Sequence, residues 1–242
     1  MGKIDIRQNI KKLKRPGINV ILQMYLYLIT QGAVFFIAAG HTSLPRVWYY
    51  LSLSIIYSTV SSISSVVIIR LNPESISQGE QRREGVKSWD KLFIKLALPL
   101  ILMVPLISGL DIGRFGWSRG MNIQCLIIGT IIYVAANMFS QWAIVVNPHF
   151  ETTAHIQKEG NRQVISAGPY KIVRHPVYLG IILGQISVPM ITGSLFALIP
   201  AVAVAFLVIM RAGLEDKMLR DELPGYAEYA RRVKYQLFFG IW

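Results

Sequence analysis

Two short stretches hold most of the residues in this chain that could do chemistry. The first is Gly168-Pro169-Tyr170-Lys171-Ile172-Val173-Arg174-His175-Pro176-Val177-Tyr178-Leu179-Gly180, where a polar loop turns into an apolar run. Pro176 biases His175 away from the α region and suits the first turn of a helix, where a missing N–H costs nothing. A helix is therefore expected from Pro176 or Val177, with His175 just outside it. Its free N–H groups form a ready site for a carboxylate or phosphate. Arg174 adds a charge there and Tyr178 a ring. The second stretch is Arg211-x-x-x-Glu215-Asp216. Arg211 and Glu215 are spaced i, i+4 and share one face if the helix continues. A helix N-terminus with Arg and His, set against an Arg and two acids, could hold a zwitterion. The carboxylate would sit at the helix end, and the ammonium or ribose hydroxyls at the acids.

Each half also has a plainer reading, His175 as a cap and the charges as interfacial residues beyond a span. Ionisable residues near membrane depth are rarely idle, which favours function. His149 and His155 are six apart with Glu151 between them. That is poor spacing for one helix face, and no metal site is expected. Tyr226 and Tyr229 read as interfacial packing. Asn137 and Gln141, i and i+4, read either as an interhelical contact or as part of a substrate cavity.

The elements that must position these residues are membrane helices. The chain of 242 residues is 53% hydrophobic and 16% charged, with mean hydropathy +0.45. An ordinary soluble domain carries about a quarter charged residues, so the class is an all-α polytopic integral membrane protein. Apolar runs are expected to span at 18–39, 46–69, 92–110 and 121–146. A longer run from Val177 is broken by Pro189, Gly193 and Pro200, which argues for a hairpin of 177–191 and 195–211 turning at Thr192-Gly193-Ser194. Each arm falls a little short of the roughly 20 residues of a full crossing. The count is about six spans. The organisation is a basic arm at 1–17, a four-helix region at 18–146, and a loop, hairpin and tail at 147–242, all one integrated domain. Serines crowd the second span (Ser52, Ser54, Ser58, Ser61, Ser62, Ser64, Ser65), as on a face packed against other helices.

The net charge of +12 could point to nucleic acid, but its distribution does not. With the N-terminus inside, all but Arg46, Arg114 and Arg119 of the 25 Lys and Arg fall on inside segments. That is the positive-inside pattern, and it puts both termini and the two chemical stretches on the cytoplasmic face. The basic arm is expected to meet membrane lipid. One cysteine, Cys125, leaves no disulfide framework within the chain.

Gly168-Pro169-Tyr170, Arg174-His175-Pro176-x-Tyr178-x-Gly180, Arg211-x-x-x-Glu215-Asp216-x-x-Leu219 and Tyr226-x-x-Tyr229-x-x-Arg232-Val233 together resemble the isoprenylcysteine carboxyl methyltransferase family and its phospholipid methyltransferase relatives. Asn72-Pro73-Glu74, Lys87-x-Trp89-Asp90-Lys91 and Gly109-Leu110-Asp111-x-x-Arg114-Phe115-Gly116-Trp117 look like the prokaryotic branch. The resemblance implies a membrane enzyme using S-adenosylmethionine at the cytoplasmic face. On that pattern Gly168, Tyr170, Arg174, His175, Pro176, Tyr178, Leu179 and Gly180 line the cofactor. Glu215 and Asp216 hold its amino or ribose groups, and Arg211 and Glu215 act at the reacting groups. Two positions depart from the pattern: the second acid is Asp216 where Glu is usual, and Lys234 follows Val233 where Pro is usual.

The expected reaction is in-line methyl transfer to a lipidic or prenylated acceptor, with a carboxylate as the first choice of nucleophile. Such a step needs positioning and a dry pocket rather than a metal. A phospholipid amine is the alternative acceptor, and an NADPH-dependent sterol-type reductase the alternative reaction. A transporter would show internal repeats and mid-membrane helix breaks; the sequence has no such repeat.

Overall fold

The computed structural model describes residues 6–71, 87–118, 121–147 and 164–241. Asn72-Pro73-Glu74, His149, Glu151 and His155, and residues 1–5 of the basic arm, lie outside the described residues. Among the described residues there are seven α-helices and no strand: α1 (Ile6–Ala39), α2 (Pro45–Leu71), α3 (Ser88–Ser108), α4 (Ile123–Val146), α5 (Pro176–Thr192), α6 (Leu198–Glu222) and α7 (Tyr226–Arg232). A π-helical turn, Gly109–Phe115, prolongs α3, and a 3-10 turn, Gly168–Lys171, precedes α5. The arm and the first span, expected as separate elements, are one helix from Ile6.

Among the described residues, four segments are long and apolar enough to cross a membrane: Ile21–Ala39, Ser88–Phe115, Ile123–Val146 and Leu198–Glu222. The other two members of the expected six are α2, a 27-residue helix rich in both aliphatic residues and serine, and α5, apolar but only 17 residues long. The bundle is inverted relative to a soluble protein. Leu26, Ile37, Ile63, Ile131, Met138, Ile199 and Phe206 face outward, while Gln31, Ser54, Ser58, Asp111, Ser140 and Arg211 are buried. Continuous apolar surface outside and hydrogen-bonded polar groups inside suit a lipid solvent; this is an integral membrane protein.

The serines of α2 behave as expected of a packed face. Ser54, Ser58, Ser61 and Ser62 are buried. The Ser54 hydroxyl reaches Tyr133 Oη on α4 at 2.9 Å, and Ser62 bonds back to the Ser58 carbonyl at 2.7 Å. Small residues allow the closest helix approaches. A Cβ on Gly113 would strike Ala39, and one on Gly109 the Phe35 carbonyl, so α1 and the π-turn touch backbone to backbone. A Cβ on Gly180 would fall on the Ser140 hydroxyl and 2.8 Å from the Ala136 carbonyl. That contact joins α4 and α5, the most extensively paired helices of the bundle.

The α5–α6 hairpin turns at Gly193, whose φ of 92° needs a glycine. Its tip reaches the end of the bundle where the other helices turn. Buried Asp111 accepts hydrogen bonds there from the Ser118 hydroxyl and the Ser194 hydroxyl, each at 2.6 Å, and from the Ser118 N–H at 2.6 Å. One carboxylate thus ties the end of α3 to the hairpin turn. At the opposite end α3 begins, α4 stops, α5 begins and α6 finishes. The tail and both chemical stretches gather at that end.

Candidate functional site

The loop before α5 is held by the tail. His175 is the N-cap, with φ −122° and ψ 63°, and Pro176 opens the helix; the proline fixes that boundary as its stereochemistry requires. The N–H groups of Arg174 and His175 donate to the carbonyls of Tyr235 and Gln236 at 3.0 and 2.9 Å. The Arg174 guanidinium donates to the carbonyls of Val233 and Lys234, both at 2.7 Å. The tail is therefore laid along the loop, with Leu237 fully buried beneath it.

Asp216 is the centre of this fastening. It is 2% exposed and accepts from Arg174 Nε at 2.7 Å, Tyr226 Oη at 2.8 Å, Arg220 Nε at 2.8 Å and Gln236 Nε2 at 2.9 Å. Arg174 adds a second, longer bond at 3.3 Å. A carboxylate has about four lone-pair sites, and here all are used by the protein itself. Burial, and next the Asp216 carboxylate, push the Tyr226 phenol well above its ordinary range, so it serves as a neutral donor. Tyr229 donates to the Tyr170 carbonyl at 2.7 Å, and Asn147 Nδ2 donates to Tyr170 Oη at 3.1 Å. Both α7 tyrosines are buried and bonded rather than resting at an interface.

A second group lies beside this one, among α3, α5 and α6. The Tyr178 hydroxyl donates a hydrogen bond to Glu215. The Tyr178 ring stacks on the His175 imidazole, centroids 5.5 Å apart and planes 8° apart. The Arg211 guanidinium lies 4.7 Å from the Phe93 ring centre and 5.2 Å from that of Tyr178. Arg211 Nε is 2.9 Å from Oδ1 of Asp90, a fully buried acid in the first turn of α3. His175 Nε2, buried, stands 3.5 Å from Asp216 Oδ1, longer than a good hydrogen bond. Glu215 is only half-buried, unlike its neighbour Asp216.

The sequence-predicted residues thus fall into two sets. His175, Tyr178, Arg211 and Glu215 come together around one Tyr ring. Gly168, Tyr170, Arg174 and Asp216 form the frame behind them, and Pro176 sets the helix start. Leu179 packs with the α5–α6 core. Gly180 faces α4, so helix packing accounts for its place in the motif. Gly168 has φ 55°, and a Cβ there would stand 3.2 Å from Trp142 Nε1. Asp90, Phe93 and Gln236 are additions that sequence reasoning missed as site residues. The available signals were an acid, Asp90, at the very start of an apolar run, and its place in the Lys87-x-Trp89-Asp90-Lys91 element. Among the described residues no three of His, Cys, Asp and Glu gather as metal ligands would.

Between α2 and α4, facing the membrane, runs an apolar groove of about 440 Å³ lined in part by Leu53, Tyr57, Asn137, Gln141 and Trp142. Asn137 Nδ2 donates within its own helix, to the Tyr133 carbonyl at 2.7 Å. Asn137 and Gln141 therefore line the groove, and the Asn137 bond does not cross to another helix.

Residues 124–223, which hold α4 to α6 and both chemical stretches, match the phospholipid methyltransferase family. It is also similar to the cobalt-zinc-cadmium resistance protein CzcN of Cupriavidus metallidurans, 36% identical over 81 residues. That match spans 33% of this chain and 37% of the length of the Cupriavidus protein.

Proposed function

We propose that this protein transfers a methyl group from S-adenosylmethionine to a lipidic acceptor at the cytoplasmic face of the membrane. The observation that carries the reading is the Tyr178–Glu215 pair, with the Tyr178 ring stacked on His175. A half-buried carboxylate suits the ammonium group of the cofactor. A buried imidazole nitrogen without a short partner fits a further polar contact. When bound, the cofactor supplies a methyl group already activated on sulfur. Glu215 and Tyr178 would hold its amino end, His175 would stack beside it, and the loop 168–175, pinned by Asp216, would keep these groups in register.

The acceptor is the finer question. Arg211 was the reason to expect a carboxylate acceptor, as in isoprenylcysteine O-methylation. Yet Asp90 already stands 2.9 Å from its Nε, so an acceptor carboxylate would have to share that cation with a buried acid. This favours the amine reading. In that case His175 or Glu215 would first take the proton from the acceptor ammonium as general base, freeing the nitrogen lone pair to accept the methyl group. The groove between α2 and α4 would take an acyl or isoprenoid chain, and its Trp142 borders Gly168 of the cofactor loop. The test is transfer of tritiated methyl from S-adenosylmethionine to phosphatidylethanolamine vesicles or to an S-farnesylcysteine derivative. Label in the phospholipid amine supports the reading. Label in the farnesyl compound alone returns the acceptor to a carboxylate, and label in neither with NADPH turnover would favour a reductase.

A further inference from the structure

We infer that Asp90 is a positioning residue for this site: from the first turn of α3 it fixes the Arg211 guanidinium between rings, and through Arg211 it sets Tyr178 and Glu215. The inference rests on the methyltransferase reading and goes beyond it, because α3 lies outside the segment that matches the family. Asp90 is fully buried. An acid in such a place must be compensated, and removing one partner of a buried pair leaves the other charge stranded. Its partner here is Arg211 Nε at 2.9 Å. That ion pair anchors a guanidinium that also meets Phe93, one turn along α3 from Asp90, at 4.7 Å and Tyr178 at 5.2 Å. Tyr178 in turn gives its hydroxyl to Glu215. The line Asp90–Arg211–Tyr178–Glu215 thus runs from α3 through α6 and α5 back to α6.

A general fastening of α3 would not need this arrangement. The same end of α3 is also joined to α6 by Lys87 and Glu222, 2.8 Å apart and exposed. That surface pair can hold the helices together without touching Tyr178. The two bridges therefore separate a packing role from a positioning role: Lys87 reports on the first and Asp90 on the second.

The experiment is calorimetric titration of S-adenosylhomocysteine into detergent-purified full-length protein. It compares wild type, Asp90→Asn, Arg211→Gln, the double variant and Lys87→Met. Asp90→Asn and Arg211→Gln should each weaken binding by about 5-fold or more, and the double variant should be no weaker than about 2-fold beyond the worse single. Lys87→Met should bind within about 2-fold of wild type. Asp90→Glu guards against a misfolded Asn variant: it keeps the charge but moves Arg211 by a methylene, and should weaken binding about 3-fold or more. Asp90 variants that bind like wild type, or losses that simply add in the double variant, would overturn the inference and leave the methyltransferase reading standing. A folded wild type that binds no S-adenosylhomocysteine would overturn both.

Discussion

Arg174 and Asp216 meet at 2.7 Å with both side chains almost fully buried, and the same guanidinium holds two carbonyls of the C-terminal tail. One ion pair therefore ties the loop before α5, the end of α6 and the tail into a single frame. The pair is worth keeping because its breakage strands a charge, not because burial of ions is favourable in itself. Asp216→Ala should cost about 3–5 kcal/mol and release the tail. Thermal unfolding in detergent would measure the loss, and limited proteolysis should cut near Val233–Tyr235 in the variant but not in the wild type. Asp216→Glu, which restores the residue usual in the family pattern, should recover part of the stability.

Gly180 supplies a different kind of constraint. Gly180→Ala drives a methyl group into the Ser140 hydroxyl, and should destabilise by about 1–3 kcal/mol, as overpacking does. Ser140→Gly added to it should restore only part of the loss, because it removes the hydroxyl clash while the Ala136 carbonyl, 2.8 Å from the new methyl, must still shift. A second substitution without effect would mean that the carbonyl, not the hydroxyl, sets the limit.

At the far end of the bundle, Asp111 joins Ser118 and Ser194. Asp111→Ala leaves buried Ser194 and half-buried Ser118 without their acceptor. It should lower stability by about 2–4 kcal/mol and leave affinity for S-adenosylhomocysteine unchanged within about 2-fold wherever the variant is folded. Melting and titration on the same sample separate the two effects.

Much of this arrangement is legible in the chain because its cues are local. Pro176 marks the start of α5 and excludes His175 from it. Gly193, between two apolar runs, marks the hairpin turn, and Arg211 and Glu215 share a face through helix periodicity alone. The roles within the frame are not local. Asp216 draws its partners from Arg174, Arg220, Tyr226 and Gln236, on four different segments, so nothing in the pair Glu215-Asp216 distinguishes the reachable carboxylate from the enclosed one. Asp90 and Arg211 lie far apart in sequence and pair only because α3 packs on α6. Gly180 reads as a motif residue, yet the reason for glycine there is the Ser140 side of α4. The second hairpin arm looks short because an apolar run stops at Arg211, while α6 goes on to Glu222 as a polar helix; the first arm, α5, is as short as it reads.

Tyr178→Phe removes one hydroxyl and leaves the ring against His175 and Arg211. Packing should survive, with stability changed by less than about 1.5 kcal/mol. The lost bond to Glu215 should show as weaker cofactor affinity, about 3- to 10-fold. Equal affinity in the Phe variant would mean that Glu215 is held by other groups.

The central claim is that the Glu215–Tyr178–His175 cluster binds the cofactor. Titration of S-adenosylhomocysteine into wild type, Glu215→Ala and His175→Ala tests it most directly. Saturable binding by the wild type, weakened at least about 10-fold by each substitution, is the predicted result. Absence of binding to folded wild type, or undiminished binding by both variants, would contradict it.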